Sequence, residues 1–140
     1  VDEVVNILTD LLNSDGEVLG FINYEMAANI FEDYVKDYYD TAMKIGKKFR
    51  LLCPNDEFNS KYIKENLKER VDAGILEIFA VNPEMFPVKN AQYIYDNKVA
   101  TISLEKDEMI GVIIESMSNA ETSRSIFKLA WLGATRFVAK

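Results

Sequence analysis

The order of helical and strand-like patterns limits the folds that this chain can adopt. A helical pattern comes first, two further helical patterns then separate three short apolar runs, and three more strand-like runs precede a last helical pattern. Parallel neighbours in a sheet need a long crossover, whereas antiparallel neighbours need only a turn. The sequence predicts an α/β fold with a mixed sheet, in which β-α-β-α-β is followed by an antiparallel three-strand meander and a closing C-terminal helix.

The first half of the chain contains the predicted crossover helices. Strands are expected at residues 17–24, 48–53 and 75–81, and helices at residues 2–13 and 26–45. A third helix is expected to be capped by Asn59 or Ser60. The predicted buried faces are Val4, Val5, Leu8, Leu11 and Leu12 in the first helix, and Ala27, Ile30, Phe31, Tyr34, Tyr38, Ala42 and Ile45 in the second.

The second half is predicted to be antiparallel. Residues 92–95 and 99–104 flank a tight Asp96-Asn97 turn, and residues 109–115 supply the third strand of the meander. A capping-box pattern at residues 118–121 opens the closing helix. The residues expected on its apolar side are Ile126, Phe127, Ala130, Trp131, Ala134 and Phe137.

Composition excludes several classes of function. The net charge of −7 makes direct binding to DNA, RNA or an anionic membrane unfavourable. The chain has no histidine, which excludes Ser-His-Asp triads, Cys-His pairs and zinc sites with histidine ligands. The single cysteine, Cys53, is expected in the core and fits a reducing compartment. We expect the basic cluster Lys44, Lys47, Lys48 and Arg50 to be a solvated helix end.

The sequence contains no pattern typical of a signal peptide or a membrane span, so we expect a cytoplasmic protein that does not contact membranes. It begins without methionine and directly on a helical pattern. We therefore expect it to be a piece of a longer protein, or a processed protein.

The hairpin at residues 96–100 resembles that of the phospholipase D superfamily. The superfamily signature is His-x-Lys, four residues, Asp, then typically Gly-Lys and, four residues later, Gly-Ser. Counted from Asp96, the histidine and lysine positions hold Lys89 and Ala91, and the Gly-Ser positions hold Ser103 and Leu104. A protonated lysine cannot replace the histidine nucleophile, and alanine cannot neutralise a phosphate. The resemblance implies a phospholipase-D-like fold without catalytic residues, in which Asp96, Asn97 and Lys98 form a structural turn.

A closer resemblance covers roughly residues 17–139. Residues 93–103, the Ile-Gly-Val-Ile-Ile-Glu strand and the Thr-x-Arg-x-x-Phe-x-x-x-Trp helix are similar, in order and spacing, to the C-terminal part of TrmB-like transcriptional regulators, many of them archaeal. The resemblance implies an effector-sensing and dimerisation domain without cofactors. It also implies a homodimer, a possible small-molecule effector, and contact with DNA only through a separate winged-helix domain that this chain lacks. Residues 1–140 would form one domain, with a leading helix at 1–15 and the phospholipase-D-like part at 16–140.

Polar residues follow each predicted parallel strand, at the sheet edge where ligands tend to bind. These candidates for a small-molecule site are Asn23, Tyr24, Asn55, Asp56, Asn82 and Glu84. The alternative is structural, because asparagine and aspartate favour loops and caps. Tyr93 and Tyr95 alternate on one face of the hairpin and could line an aromatic wall for a sugar or nucleotide, or pack across strands or in a dimer surface.

Other charged residues are expected to have ordinary roles. The carboxylates Glu25, Glu32, Asp33, Asp37 and Asp40 alternate with lysines on a helix face, so we expect a solvated surface and no metal site. Arg124 is expected in a structural ion pair.

Two other functions stay open as alternatives. One is a free-standing protein–protein interaction module with a degenerate phospholipase-D-like fold. The other is an enzyme that uses only carboxylates, tyrosine or lysine, which would need carboxylates converging in a cleft.

Overall fold

Short apolar segments form the strands of a mixed sheet, and amphipathic segments form the helices that cover it. The computed structural model describes residues 2–31, 34–105 and 107–136. Its strands are β1 (Val18–Phe21), β2 (Phe49–Pro54), β3 (Leu76–Val81), β4 (Asn90–Tyr95), β5 (Lys98–Ser103), β6 (Gly111–Glu115) and β7 (Thr135–Arg136). Its helices are α1 (Asp2–Asn13), α2 (Tyr24–Phe31), α3 (Tyr34–Ile45), α4 (Glu57–Tyr62), α5 (Lys68–Asp72) and α6 (Met117–Gly133), with a π-helical turn, Ile63–Leu67, between α4 and α5.

The topology confirms the predicted α/β class, with its parallel strands, antiparallel meander and closing helix. Over the described residues the sheet has seven strands in the order β6-β5-β4-β1-β2-β3-β7. Strands β1, β2 and β3 are parallel, and β4, β5 and β6 form the antiparallel meander. The two halves join where β4 pairs antiparallel with β1, with Gly20 opposite Tyr93.

One strand was not predicted. Strand β7 pairs antiparallel with β3, in a region where the sequence predicts helix through Phe137. The helix ends earlier because Ala134 adopts an extended backbone conformation directly after Gly133. Phe137 lies outside the described residues, as do Glu32 and Asp33.

The two faces of the sheet are covered unequally. Helices α1 to α5 pack on one face, called here the helical-layer face, over the larger core that contains Tyr24, Tyr39 and Phe49. In the described chain, α6 alone packs on the other face, called here the α6 face, where Phe127 contacts the smaller core. Helices thus cover one face of the sheet and only part of the other.

The predicted buried faces of two helices are confirmed only in part. In α1 the buried residues are Val4, Ile7, Leu8 and Leu11, whereas Val5 is exposed. In α3 they are Val35, Tyr38, Tyr39 and Ala42, whereas Tyr34 and Ile45 are exposed. Both sets follow the i, i+3, i+4, i+7 spacing of a single helix face. Apolar residues beside that face misled the sequence prediction.

The helix caps also differ from the predicted ones. Asp56 caps α4 by accepting a hydrogen bond from the Asn59 backbone N–H at 2.8 Å, so neither Asn59 nor Ser60 is the cap. Ser116 caps α6 by accepting from the Asn119 N–H, two residues before the predicted capping box. In each case a side chain slightly upstream reaches the free N–H groups first.

The basic cluster is not a wholly solvated helix end. Lys47 is buried, and its ammonium donates to the carbonyl oxygens of Ser14 and Gly16 just after α1. A cation near the last carbonyls of a helix is favourable, and no basic residue lies in the last turn of α1 itself. Lys47 thus ties α3 to the end of α1.

We predict opposite effects from adding one methyl group at Gly20 and at Gly133. A Cβ at Gly20 would lie 2.4 Å from the backbone oxygen of Gln92, so Gly20→Ala should lower the free energy of unfolding by about 2 kcal/mol. A Cβ at Gly133 meets no atom within 4 Å, and Gly133→Ala should raise stability by about 0.5 kcal/mol. Urea denaturation measures both changes, and equal effects would contradict the close approach of β1 and β4.

We also predict loss of stability in alkali. Burial raises the pKa of Tyr24, Tyr38, Tyr39 and Tyr93 well above the ordinary value of 10.0, and raises the pKa of Cys53 to about 12. The folded protein keeps protons that the unfolded chain releases, so each such tyrosine lowers stability by about 1.4 kcal/mol for every pH unit above 10. Tyrosinate absorbance and circular dichroism should therefore change together. Tyrosinate formation well before loss of helix would contradict this.

Candidate functional site

A cleft opens on the α6 face at the carboxyl ends of β1 and β3. It has a volume of about 720 Å³ and lies between α6 and residues 82–90, the segment that joins β3 to β4. The lining residues include the strand ends Phe21 and Val81, and Ile126 and Leu129 from α6. The edge of a sheet beyond the carboxyl ends of parallel strands is where ligands of α/β folds tend to bind.

The walls of the cleft are mainly apolar. Phe86, Ile126 and Leu129 are exposed apolar residues that face this space, and Phe21 packs edge-to-face on Phe127 at its floor, with ring centroids 5.7 Å apart. Lys89 is the one charged residue among the described lining residues, and Gln92 adds an amide. A small molecule with an apolar body and an anionic end matches this surface.

The segment of residues 82–90 is held in shape by two asparagines. Asn82 Oδ1 accepts hydrogen bonds from the backbone N–H groups of Glu84 and Met85, at 2.9 and 3.1 Å. Asn23 Nδ2 donates to the carbonyl oxygen of Val88 at 3.0 Å. Both asparagines were candidate ligand residues, and both support the wall of the cleft; only Asn82 lines it.

The other polar candidates at this edge form hydrogen bonds within the protein. Asn59 is fully buried, accepts from the Tyr24 backbone N–H at 2.8 Å, and donates to Asp56 at 2.9 Å and to Asn23 at 3.3 Å. These groups satisfy one another, so Asp56 and Tyr24 serve structural roles. The Tyr24 hydroxyl shares a hydrogen bond with that of Tyr39 at 3.0 Å. Sequence reasoning gave Asn59 only a capping role.

Two more candidates lie at the surface but outside the cleft. The exposed Asn55 uses its backbone N–H to pair with the carbonyl oxygen of Val81 at 2.8 Å. Glu84 is also exposed, and its backbone N–H is bound by Asn82. Neither side chain lines the cleft.

Tyr93 and Tyr95 do not form an open aromatic wall. Residues alternate between the two faces of a strand, and on β4 Ala91, Tyr93 and Tyr95 point into the helical-layer core. Asn90 and Gln92 point to the cleft instead. Tyr93 borders only an apolar void of about 40 Å³, and the Tyr95 hydroxyl donates to Asp10 at 2.8 Å. Alternation shows which residues share a face but not which face is buried.

The hairpin at Asp96 lies at the opposite end of β4 from the cleft. Lys89 and Asp96 are separated by the length of β4, about 23 Å for seven residues, so these two residues do not meet. Asp96 has a left-handed φ of 49°, and its carboxylate accepts from the Asp15 N–H at 3.1 Å. The turn therefore holds the end of α1.

The same hairpin also holds the start of α6. Arg124 Nη2 donates to the backbone oxygen of Asp96 at 2.8 Å, so its contact is with a carbonyl group and not the expected carboxylate. The Ser116 N–H, at the cap of α6, donates to the carbonyl oxygen of Asn97 at 2.9 Å. Helices on both faces of the sheet are thus bound to one tight turn.

A second groove, of about 480 Å³, runs along the other side of α6. Its lining includes the cations Arg50, Arg124 and Lys128 and the ring of Trp131. The Arg50 guanidinium lies 5.4 Å from the centre of the Trp131 ring, which stacks on Phe79. Glu17 and Glu77 lie 3.8 and 4.0 Å from Arg50 and offset its charge. The groove is therefore less cationic than its three basic residues suggest.

The helix carboxylates do not form a metal site in the part of the chain that the structure describes. No group of three or more cysteine, aspartate or glutamate side chains lies close enough there to hold an ion. Asp40, expected on a solvated face, instead forms an ion pair with the buried Arg70. In the same residues no helix is both long and apolar enough to cross a membrane.

We predict that the Asp10–Lys98 pair stabilises the contact between α1 and the hairpin. Partial burial opposes ionisation of Asp10, but hydrogen bonds from Lys98 and Tyr95 outweigh it and hold its pKa below the ordinary 3.8. Lys98→Met should lower stability by about 1 kcal/mol at pH 7, because the ion pair is partly exposed.

The effect should depend on pH in one direction. Because the folded pKa of Asp10 is lowered, the contribution is present above pH 3.8 and disappears as pH falls through the folded pKa. Denaturation of both proteins at pH 7 and pH 2.5 checks this, with Lys128→Met as the matched control. An unchanged difference at pH 2.5 would contradict it.

Comparisons with known proteins find a similar fold but no similar sequence. No protein-family model matches the chain, and no curated protein matches it. Among solved structures, the fold is similar to that of TrmBL2, described as an archaeal chromatin protein whose structure shows a novel mode of DNA binding. The TM-score is 0.68 at 15% sequence identity, covering 96% of this chain and 50% of TrmBL2. The chain thus spans about half the length of this neighbour and shares its fold.

Proposed function

We propose that this chain is a non-catalytic effector-sensing and dimerisation domain of a TrmB-like transcriptional regulator. The observation that carries the proposal is the apolar cleft beside Lys89, in a fold shared with TrmBL2. Lys89 occupies the position of the phospholipase D nucleophile. A binding space thus lies beside the position where the superfamily does its chemistry.

Lysine at this position favours binding over catalysis. A solvated lysine ammonium carries no lone pair for attack on phosphorus. The same charge attracts a carboxylate, sulfonate or phosphate. The effector that fits is a small molecule with an apolar body lying against Leu129 and Phe86 and an anionic end near Lys89.

Contact with DNA would come through a separate domain. TrmBL2 is described as binding DNA, and this chain covers only half of it. The present chain has a net charge of −7, which opposes contact with a phosphate backbone. The proposal therefore assigns sensing and pairing to this domain and DNA binding to another part of a longer protein.

Hydrogen bonds connect the helix that lines the cleft to α1 through the hairpin. A ligand in the cleft would contact α6, which is bound to the hairpin through its cap residue Ser116 and through Arg124 in its third turn. The same hairpin binds Asp15 after α1. A ligand can shift this arrangement only if it binds two states with different affinity. In this proposal the two states differ in the position of α6, and the ligand would favour one of them.

A second candidate function is a protein–protein interaction module without a small ligand. The observation in its favour is the set of exposed apolar residues on α6, namely Ile126, Leu129 and Leu132. Such a module would bind a protein partner over these residues and show no saturable binding in the cleft.

We predict that 8-anilinonaphthalene-1-sulfonate, an apolar ring system with one anionic group, binds the cleft. Lys89→Ala should weaken its binding about tenfold, because a hydrogen bond to a charged group is lost. Leu129→Glu should abolish binding by placing a carboxylate in the apolar wall. Fluorescence titration measures both affinities.

The matched control is Lys128→Ala, which removes a lysine from the same helix but outside the cleft. Its affinity should equal that of the unchanged protein. If Leu129→Glu and Lys128→Ala bind the probe equally, the cleft is not the site, and the interaction module is favoured.

A further inference from the structure

Strand β6 is an exposed apolar edge of the sheet. It is the end strand, paired with β5 on one side only in the described chain. Its residues Val112, Ile113 and Ile114 are 48%, 40% and 52% exposed. Edge strands of monomeric proteins are usually protected by lysine, proline or a bulge, and Glu115 is the one charged residue of β6. The strand is therefore available for pairing.

The backbone groups that β6 leaves free can be identified. In an antiparallel pair, hydrogen-bonded and non-hydrogen-bonded residue pairs alternate. The Ser103 N–H donates to the Ile110 oxygen and the Ser116 N–H donates to the Asn97 oxygen, so the even-numbered residues of β6 face β5. The N–H and C=O groups of Gly111, Ile113 and Glu115 therefore point away from the sheet.

We propose that β6 pairs antiparallel with β6 of a second copy of this chain, about a two-fold axis at Ile113. Ile113 would lie opposite the partner's Ile113, and Gly111 opposite the partner's Glu115. All three residues with outward backbone groups then form hydrogen-bonded pairs, which gives about six inter-chain hydrogen bonds. The sheet continues without interruption from one copy into the other.

The side chains of β6 are complementary to themselves in this register. Val112 and Ile114 share the α6 face, and each lies opposite the other type of residue in the partner. The two Glu115 carboxylates stand at opposite ends of the paired strands, about 14 Å apart along them. Each is 3.9 Å from its own Lys98. An apolar centre with separated and compensated charges fits a second copy of the same strand.

The same pairing brings the two α1 helices close to the axis. A Cβ at Gly111 would lie 2.8 Å from the Ile7 side chain and 3.3 Å from the Glu3 backbone, so the start of α1 lies over β6. Gly111 is two residues from the axis, about 7 Å. Two α1 helices would thus begin on either side of the axis, as paired DNA-binding domains require. The inference rests on the dimerisation part of the proposed function and not on effector sensing.

The first test removes the outward hydrogen bond without touching the sheet. Ile113→Pro deletes an N–H that faces solvent in the single copy, a position where edge strands accept proline. Sedimentation equilibrium should show a dimer for the unchanged protein and at least a tenfold higher dissociation constant for Ile113→Pro. Ile45→Lys, at an exposed apolar residue of α3, is the control and should remain dimeric.

The second test reports the register and does not depend on tolerance of proline. In a Cys53→Ala background, Ile113→Cys should form an oxidised dimer, because residues of a hydrogen-bonded pair have Cα atoms about 5.5 Å apart, within the range of a disulfide. Ile114→Cys should not, because Ile114 lies opposite the partner's Val112. Crosslinking at Ile114 but not Ile113 would overturn the register.

The outcomes separate this inference from the proposed function. A dimer that persists in Ile113→Pro and fails to crosslink through Ile113→Cys overturns the β6 pairing and leaves dimerisation intact. A monomer at all concentrations overturns both the pairing and the dimerisation. Binding of the anionic probe in the cleft reports effector sensing separately.

Discussion

The antiparallel pairing of β4 with β1 is the contact on which the rest of this fold depends. It joins the parallel half of the sheet to the meander, and it requires glycine at position 20 because the Gln92 backbone lies so close. The pairing also fixes which side chains of β4 face each layer. Tyr93 and Tyr95 are directed into the core, and Gln92 is directed into the cleft. The position of the candidate site therefore follows from this backbone contact.

The hairpin that follows β4 has a structural role. The Asp96 carboxylate accepts from the Asp15 N–H just after α1, and its carbonyl oxygen accepts from Arg124 of α6. Tyr95 and Lys98, on either side of the turn, both bind Asp10. One turn thus links the layers on both faces of the sheet. This linkage gives a physical reason for an aspartate at this position.

Sequence reasoning located the strands of both halves of the sheet because runs such as Leu76–Val81 are short, apolar and bounded by turns. It missed β7, some of the buried helix residues and both helix caps. These features depend on contacts with neighbouring elements that exist only in the folded chain. The candidate site was harder to predict. The cleft lies at the edge that the sequence indicates, but the polar residues there bind one another through Asn59. The cleft itself is lined by Phe86 and Leu129, which come together only in the folded chain.

The unequal covering of the two faces determines where this domain can bind other molecules. Five helices close one face, and in the described chain α6 alone lies across the other. A single helix about 10 Å wide cannot cover a seven-stranded sheet whose strands are about 4.8 Å apart. The cleft, the second groove and the exposed residues of α6 all result from this incomplete covering of the sheet. A ligand against α6 and a second copy against β6 would cover different parts of the surface that remains open, so both can bind at once.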